Sequence, residues 1–205
     1  MASSRSGAPR PTPGALLLAP GAGATREHHT LVAIEEALAP FPVARFDFPY
    51  RRAGKKAPDK APAAVACVRE EAAATATEAH VRPNRLVFGG RSYGGRMCSM
   101  AVAEGLPAAG LVLLSYPLHP PGKPDRLRTE HFPALDVPCL FVSGDRDAFG
   151  TPDELETATK AIPGPVTHAW LPGGHDPRNK DREIAELVRG WLAELGGKGL
   201  SGSGR

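Results

Sequence analysis

The chain has 205 residues, enough to bury about 70% of the surface an unfolded chain would expose, so one substantial core is expected. Its formal charge of +3 belongs to the ends: Arg5, Arg10, Lys198 and Arg205 supply four cations with no acid among residues 1–13 and 196–205, which leaves the body near −1. That balance argues against a nucleic-acid-binding face, and no segment offers the roughly 20 apolar residues of a membrane span.

Residues 1–13 are Ser, Arg, Gly and Pro with nothing to bury, and residues 196–205 are similar; both are expected to be disordered tails around one domain over residues 14–195. The start superficially resembles a signal peptide, but its apolar run, Ala15 to Ala19, is shorter than an h-region of roughly 7 to 15 residues; a Ser/Arg-rich transit peptide is a second reading. Ala15 to Ala19 is also the first predicted strand. The loop after it, Pro20 to Arg26, carries Gly21 and Gly23 and has two readings. One is a dinucleotide-binding turn, with Asp47 as the ribose-binding acid; Arg26 then stands where a small residue is needed for close packing. The other is a loop of small residues that brings a backbone N–H close to a substrate oxygen, with Ala22 as donor and Gly23 as the fallback.

A helical stretch, Glu27 to Ala39, places His28 and His29 toward solvent, and a second strand is predicted over Pro42 to Phe46. The basic run Arg51 to Lys56 reads as a solvated loop or as an attractor for an anion. Helix Ala61 to Ala79, with the solvated His80 after it, leads to a strand over Arg85 to Phe88. Then comes GGRSYGGRM. Within it Gly90 to Gly94 reads G-x-S-x-G, the turn that projects a serine, here Ser92, from a strand end at the start of a helix. The motif is short and the chain has 23 glycines, so its context must decide. Arg91 and Arg96 flank it without an evident role.

A helix over Ser92 to Glu104 and a strand over Gly110 to Leu114 follow. The proline-rich connection Ser115 to Val137 has no room for a helical cap, and His119, Lys123, Arg128 and His131 are its candidate substrate contacts, His119 and Lys123 foremost. Strand Pro138 to Val142 runs into SGDRDAFG, which offers two acids, Asp145 and Asp147. Helix Pro152 to Ala161 and strand Val166 to Leu171, which contains His168, come next. That last strand ends in PGGHD, a loop able to return His175 over the sheet. The final helix, Asp181 to Leu195, is amphipathic, with Ile184, Leu187, Val188, Trp191, Leu192 and Leu195 on one face. Short apolar runs alternating with helical stretches predict a mostly parallel sheet of about six strands, covered by helices on both faces. Cys67, Cys98 and Cys139 match neither a disulfide framework nor a zinc site, which fits a reducing cytosol, and no metal or other cofactor is expected.

Taken together, Arg45 to Tyr50 (RFDFPY), the Ser92 turn with Gly94, Gly95 and Arg96, Tyr116 to Pro124 (YPLHPPGKP) and Gly144 to Gly150 (GDRDAFG) resemble the small α/β-hydrolases related to dienelactone hydrolases. The branch is the one containing bacterial hydrolase-like proteins and the hydrolase-like domain of a nonspecific-lethal chromatin-complex subunit. The resemblance spans about residues 15–195. It implies a three-layer α/β-hydrolase fold without a lid domain, and a triad of Ser92, Asp147 and His175, since the acid three residues after the glycine is the one such proteins use. The sequence departs from that group at Pro20, where relatives often carry histidine, and at Gly174, where they often carry an acid.

The expected activity is hydrolysis of a small or exposed carboxylic ester through an acyl-enzyme. The backbone N–H groups of Tyr93 and Ala22 form the oxyanion hole, and no nucleic acid or membrane takes part. Two other readings stay open on sequence: a non-catalytic interaction protein that keeps the fold, and a dinucleotide-binding protein.

Overall fold

A computed structural model describes residues 11–197; most of each expected tail, residues 1–10 and 198–205, lies outside the described residues. Six parallel strands form the sheet: β1 (Ala15–Ala19), β2 (Val43–Arg45), β3 (Leu86–Arg91), β4 (Gly110–Leu114), β5 (Cys139–Gly144) and β6 (Val166–Leu171), in the order β2-β1-β3-β4-β5-β6. The helices are α1 (His29–Leu38), α2 (Pro49–Arg52), α3 (Ala61–Glu78), α4 (Tyr93–Ala103), α5 (Pro152–Thr159) and α6 (Asp181–Leu195).

The near-continuous apolar runs become buried strands because alternate side chains enter different cores. Ala15, Leu17 and Ala19 of β1 join Leu86 and Phe88 of β3 and Leu111 and Leu113 of β4 in a core covered by α3, α4 and α5. Leu16 and Leu18, Val87 and Val112 face the opposite side, where α1 and α6 pack together. The six residues of α6 predicted to form one apolar face do point inward, with Val188 and Leu192 fully buried. The outer strands β2 and β6 are only partly buried, as edges must be. Among the described residues, the connection from β4 to β5 contains one short 3-10 turn, Phe132–Ala134, and no helical cap.

The chain leaves β1 toward β2 at one edge and returns to the other side of β1 as β3. The carboxyl ends of β1 and β3 therefore open onto a crevice at the point where strand order reverses, the usual ligand position in open α/β sheets. Here β3 is longer than the apolar pattern suggests, because it continues through Gly89 and Gly90 to Arg91. Gly90 pairs with Ala19, and a Cβ on Gly90 would fall 2.4 Å from the Ala19 carbonyl oxygen; one on Gly94 would fall 2.5 Å from the carbonyl oxygens of Ala19 and Pro20. Only side-chain-free positions let α4 start this close to β1.

Gly90→Ala should accordingly lower stability by about 2–4 kcal/mol through forced backbone displacement. Gly190→Ala on the exposed side of α6, where an added methyl meets nothing within 4 Å, should raise it by about 0.5–1 kcal/mol. Urea unfolding of the two variants beside the parent chain measures both, and equal midpoints for the two would refute the close-approach account.

Candidate active site

Ser92 sits between β3 and α4 with φ +50° and ψ −115°, a backbone region costly for a residue with a side chain, on the order of 1–3 kcal/mol. The neighbouring structure holds it there: its N–H donates to Leu114 O (2.8 Å) and its carbonyl accepts from Arg96 N–H (3.1 Å). The hydroxyl is thereby lifted above the sheet end, 2.8 Å from His175 Nε2.

His175 lies in the loop after β6, and its Nδ1 is 2.8 Å from Asp147 Oδ2. A carboxylate only accepts, so Nδ1 carries the ring proton and Nε2 presents a lone pair to the Ser92 hydroxyl. Asp147, 2% exposed, has its other oxygen fixed by the Phe149 N–H at 2.8 Å. The Phe149 ring stacks on the imidazole with centroids 4.0 Å apart, which limits both ring rotation and water access. The other candidate acid serves the loop itself: Asp145 Oδ1 accepts the Gly173 N–H at 2.8 Å. Gly144 allows this closeness, since a Cβ there would lie 2.2 Å from Gly174 O.

Arg91 supplies a restraint that the sequence left open. Its guanidinium, 14% exposed, donates to the His175 carbonyl (3.1 Å) and pairs with Asp176 (2.9 Å). Asp176, directly after His175, thus helps tether the loop through Arg91.

The loop after β1 borders the same cleft at Ala22 and Gly23. Among the described residues neither the Ala22 nor the Tyr93 N–H donates a hydrogen bond within the protein. The loop is set by the three polar residues of RFDFPY: the Arg45 guanidinium donates to Arg26 O, Asp47 Oδ1 accepts the Arg26 N–H at 2.7 Å, and the Tyr50 hydroxyl donates to Ala22 O at 2.6 Å. Asp47, the acid required by the dinucleotide reading, is occupied in holding this loop. Phe48 and Tyr50 also meet the Tyr93 ring, at 5.1 and 6.5 Å, and the Tyr93 hydroxyl donates to Asp59 O at 2.8 Å.

The cleft over Ser92 encloses about 470 Å³. Of the four candidate contacts from the β4–β5 connection, Arg128 lines it and the foremost two, His119 and Lys123, do not. His119 is 5% exposed, with Nδ1 on Pro120 O and Nε2 near Glu154 of α5 (2.9 and 3.4 Å); Lys123 is fully on the exposed side of the loop. Both therefore stand corrected as lining residues: burial withdraws one and solvent the other. His131 lies behind the wall, its Nε2 2.8 Å from Ser99 Oγ. In the basic run, Arg52 pairs with Glu71 on α3, while Lys55 and Lys56 are exposed. His168 is an edge-strand residue stacked on Trp170. A larger hollow, about 590 Å³, follows the β2 edge, but its Arg45 is paired with Glu27 and Glu35.

His28, His29 and Asp176 gather their donor atoms within 4.8 Å of one another, a grouping invisible in sequence. Each has a protein partner: His28 caps α1 through Thr30 N–H, His29 meets Asp181, and Asp176 holds Arg91. The adjacent guanidinium opposes a bound cation.

Burial, reinforced by the Arg96 charge, pushes the His131 imidazole down to about 4. The unfolded chain then takes up this proton before the folded one, so stability is lost as pH falls from about 6.5 toward about 4 and loses no more below. Urea unfolding at pH 7 and pH 5 should show up to about 2 kcal/mol less loss in His131→Gln than in the parent chain; an identical loss would contradict the half-buried, neutral assignment.

Residues 12–188 match the model of a family described as an alpha/beta hydrolase domain. Among solved structures the chain is similar to Est1E from Butyrivibrio proteoclasticus (15% identity, covering 91% of this chain and 89% of that one, TM-score 0.71). It is also similar to a protein from Klebsiella pneumoniae described as a dienelactone hydrolase (17%, 92% and 90%, TM-score 0.68) and to a carboxylesterase from Bacillus cereus (17%, 91% and 91%, TM-score 0.63). At these identities the likeness is one of fold.

Proposed function

Starting from the fact that the chain belongs to the alpha/beta hydrolase domain family, we propose that it is a serine hydrolase cleaving a small or exposed carboxylic ester. The observation that carries this reading is the unbroken line Ser92 Oγ, His175 imidazole, Asp147 carboxylate, 2.8 Å at each step, with the serine held at φ +50°.

In this reading Ser92 Oγ attacks the ester carbonyl while His175 Nε2 takes the hydroxyl proton, and Asp147 stabilises the imidazolium that forms. The oxyanion is received by the N–H groups of Tyr93, at the start of α4, and Ala22. His175 then returns the proton to the departing alkoxide, leaving an acyl group on Ser92; water repeats the cycle and releases the acid. The uncapped connection after β4 supports access by small or exposed esters. Three buried free thiols, Cys67, Cys98 and Cys139, support a reducing compartment such as the cytosol.

The two acids separate this mechanism from a coincidence of geometry. In Asp147→Asn the Phe149 N–H retains the amide oxygen, so the amide nitrogen faces His175 Nδ1 and forces the wrong tautomer. Turnover of 4-nitrophenyl butyrate should fall roughly 10⁴-fold, as when a triad carboxylate is neutralised. Asp145→Asn keeps an acceptor for Gly173 N–H and should cost less than about tenfold. Steady-state kinetics on the folded variants decide it, and the reverse ranking would refute the assignment.

A further inference from the structure

Two arginines line the cleft without a carboxylate partner. Arg96 stands one helical turn after Ser92 on α4, on the same helix side, and Arg128 faces it from the β4–β5 connection. Among the described residues neither forms an ion pair, whereas the cleft's third arginine, Arg91, is paired with Asp176. The Arg96 Nε is buried and without a hydrogen-bond acceptor, a costly state for part of a charged group. The Arg128 backbone is anchored: its N–H donates to Leu118 O (2.9 Å) and its carbonyl accepts the buried Tyr116 hydroxyl (2.7 Å). One guanidinium nitrogen reaches Pro117 O at 3.4 Å, which leaves other donors free.

The surroundings do not neutralise this pair. Burial first, then the Arg96 charge, disfavours the charged form of Arg128. His131, behind Arg96, is held neutral. Guanidinium groups do not shed their protons in proteins, so two mutually repelling cations line the cleft with Ser92, and among the described residues no carboxylate pairs with either.

We propose that this pair is the recognition site for a second, anionic group on the substrate, so that the ester cleaved at Ser92 carries a carboxylate or phosphate. This rests on the serine-hydrolase reading above for the chemistry, but the anion site itself does not. A planar fork suits either oxyanion, each of which accepts two parallel N–H bonds.

The test compares 4-nitrophenyl hemiglutarate with 4-nitrophenyl methyl glutarate, the same acyl chain with its charge masked. The parent chain should favour the charged ester by about 30-fold or more in kcat/KM at low salt, less at high salt. Arg96→Gln and Arg128→Gln should each cut that ratio at least about tenfold, mainly through KM, with Arg96→Lys keeping part of it. Arg128→Gln carries the test if Arg96→Gln fails to fold. Equal cleavage of both esters, or preference for the masked one, would overturn the proposal. If neither ester is cleaved, the hydrolase reading has failed separately, and calorimetric titration with glutarate and with inorganic phosphate judges the site. Binding weakened tenfold by Arg128→Gln sustains it, the tighter ligand naming the oxyanion, and no binding of either overturns it.

Discussion

The site depends on how closely the end of β1 approaches the junction of β3 and α4. With carbonyl oxygens of Ala19 and Pro20 lying where Gly90 and Gly94 would carry side chains, three things follow together. The strand can turn into a helix within one residue, that residue is forced to positive φ, and the loop after β1 lies beside it. The strain at Ser92 is thus a consequence of sheet packing, offset by the buried strands on either side rather than by anything in the turn itself. Because β1 and β3 flank the reversal in strand order, the groups they carry meet above the sheet, while β5 and β6 deliver Asp147 and His175 from the other half.

Around this frame the charges are organised in two ways. Arg91, Asp145, Asp176, Arg45 and Asp47 are spent on loops: each satisfies a backbone group or an opposite charge, and each fixes a segment that borders the cleft. Among the described residues the Arg96 guanidinium has no hydrogen-bond or ion-pair partner, and that of Arg128 has only the Pro117 carbonyl, at 3.4 Å. In a low-dielectric wall an unused guanidinium acts farther and more strongly than one in water, so the same cleft that positions a serine also carries a positive field. Neutral His131 adds no charge to it.

Much of this was legible beforehand. The six apolar runs are strands because each is bounded by turn residues and too short for a buried helix, and the Ser92 turn was readable because it follows one such run. His175 stood out as the histidine after the last strand. The two acids after β5 could not be told apart from residue pattern alone, since both follow the strand end within three positions; the Gly173 N–H that Asp145 accepts belongs to a loop far along the chain. His119 misled because a histidine in a polar, proline-rich connection looks exposed, yet α5 supplies Glu154 and covers it. Asp47 and Tyr50 were visible as a motif, but that they hold the Arg26 N–H and Ala22 O is a fact of tertiary structure. The missing partners of Arg96 and Arg128 could be seen only once every nearby carboxylate had been placed.

The central claim is that Ser92 Oγ is activated as a nucleophile, and its most direct test is covalent. A fluorophosphonate reacts with such an oxygen by forming an O–P bond and releasing fluoride, so incubation of the folded chain followed by peptide mass mapping locates the modified atom. The account predicts stoichiometric phosphonylation on the peptide containing Ser92, with no modification in Ser92→Ala. Folded protein that stays unmodified, or that is modified at another residue while Ser92 remains free, would contradict it.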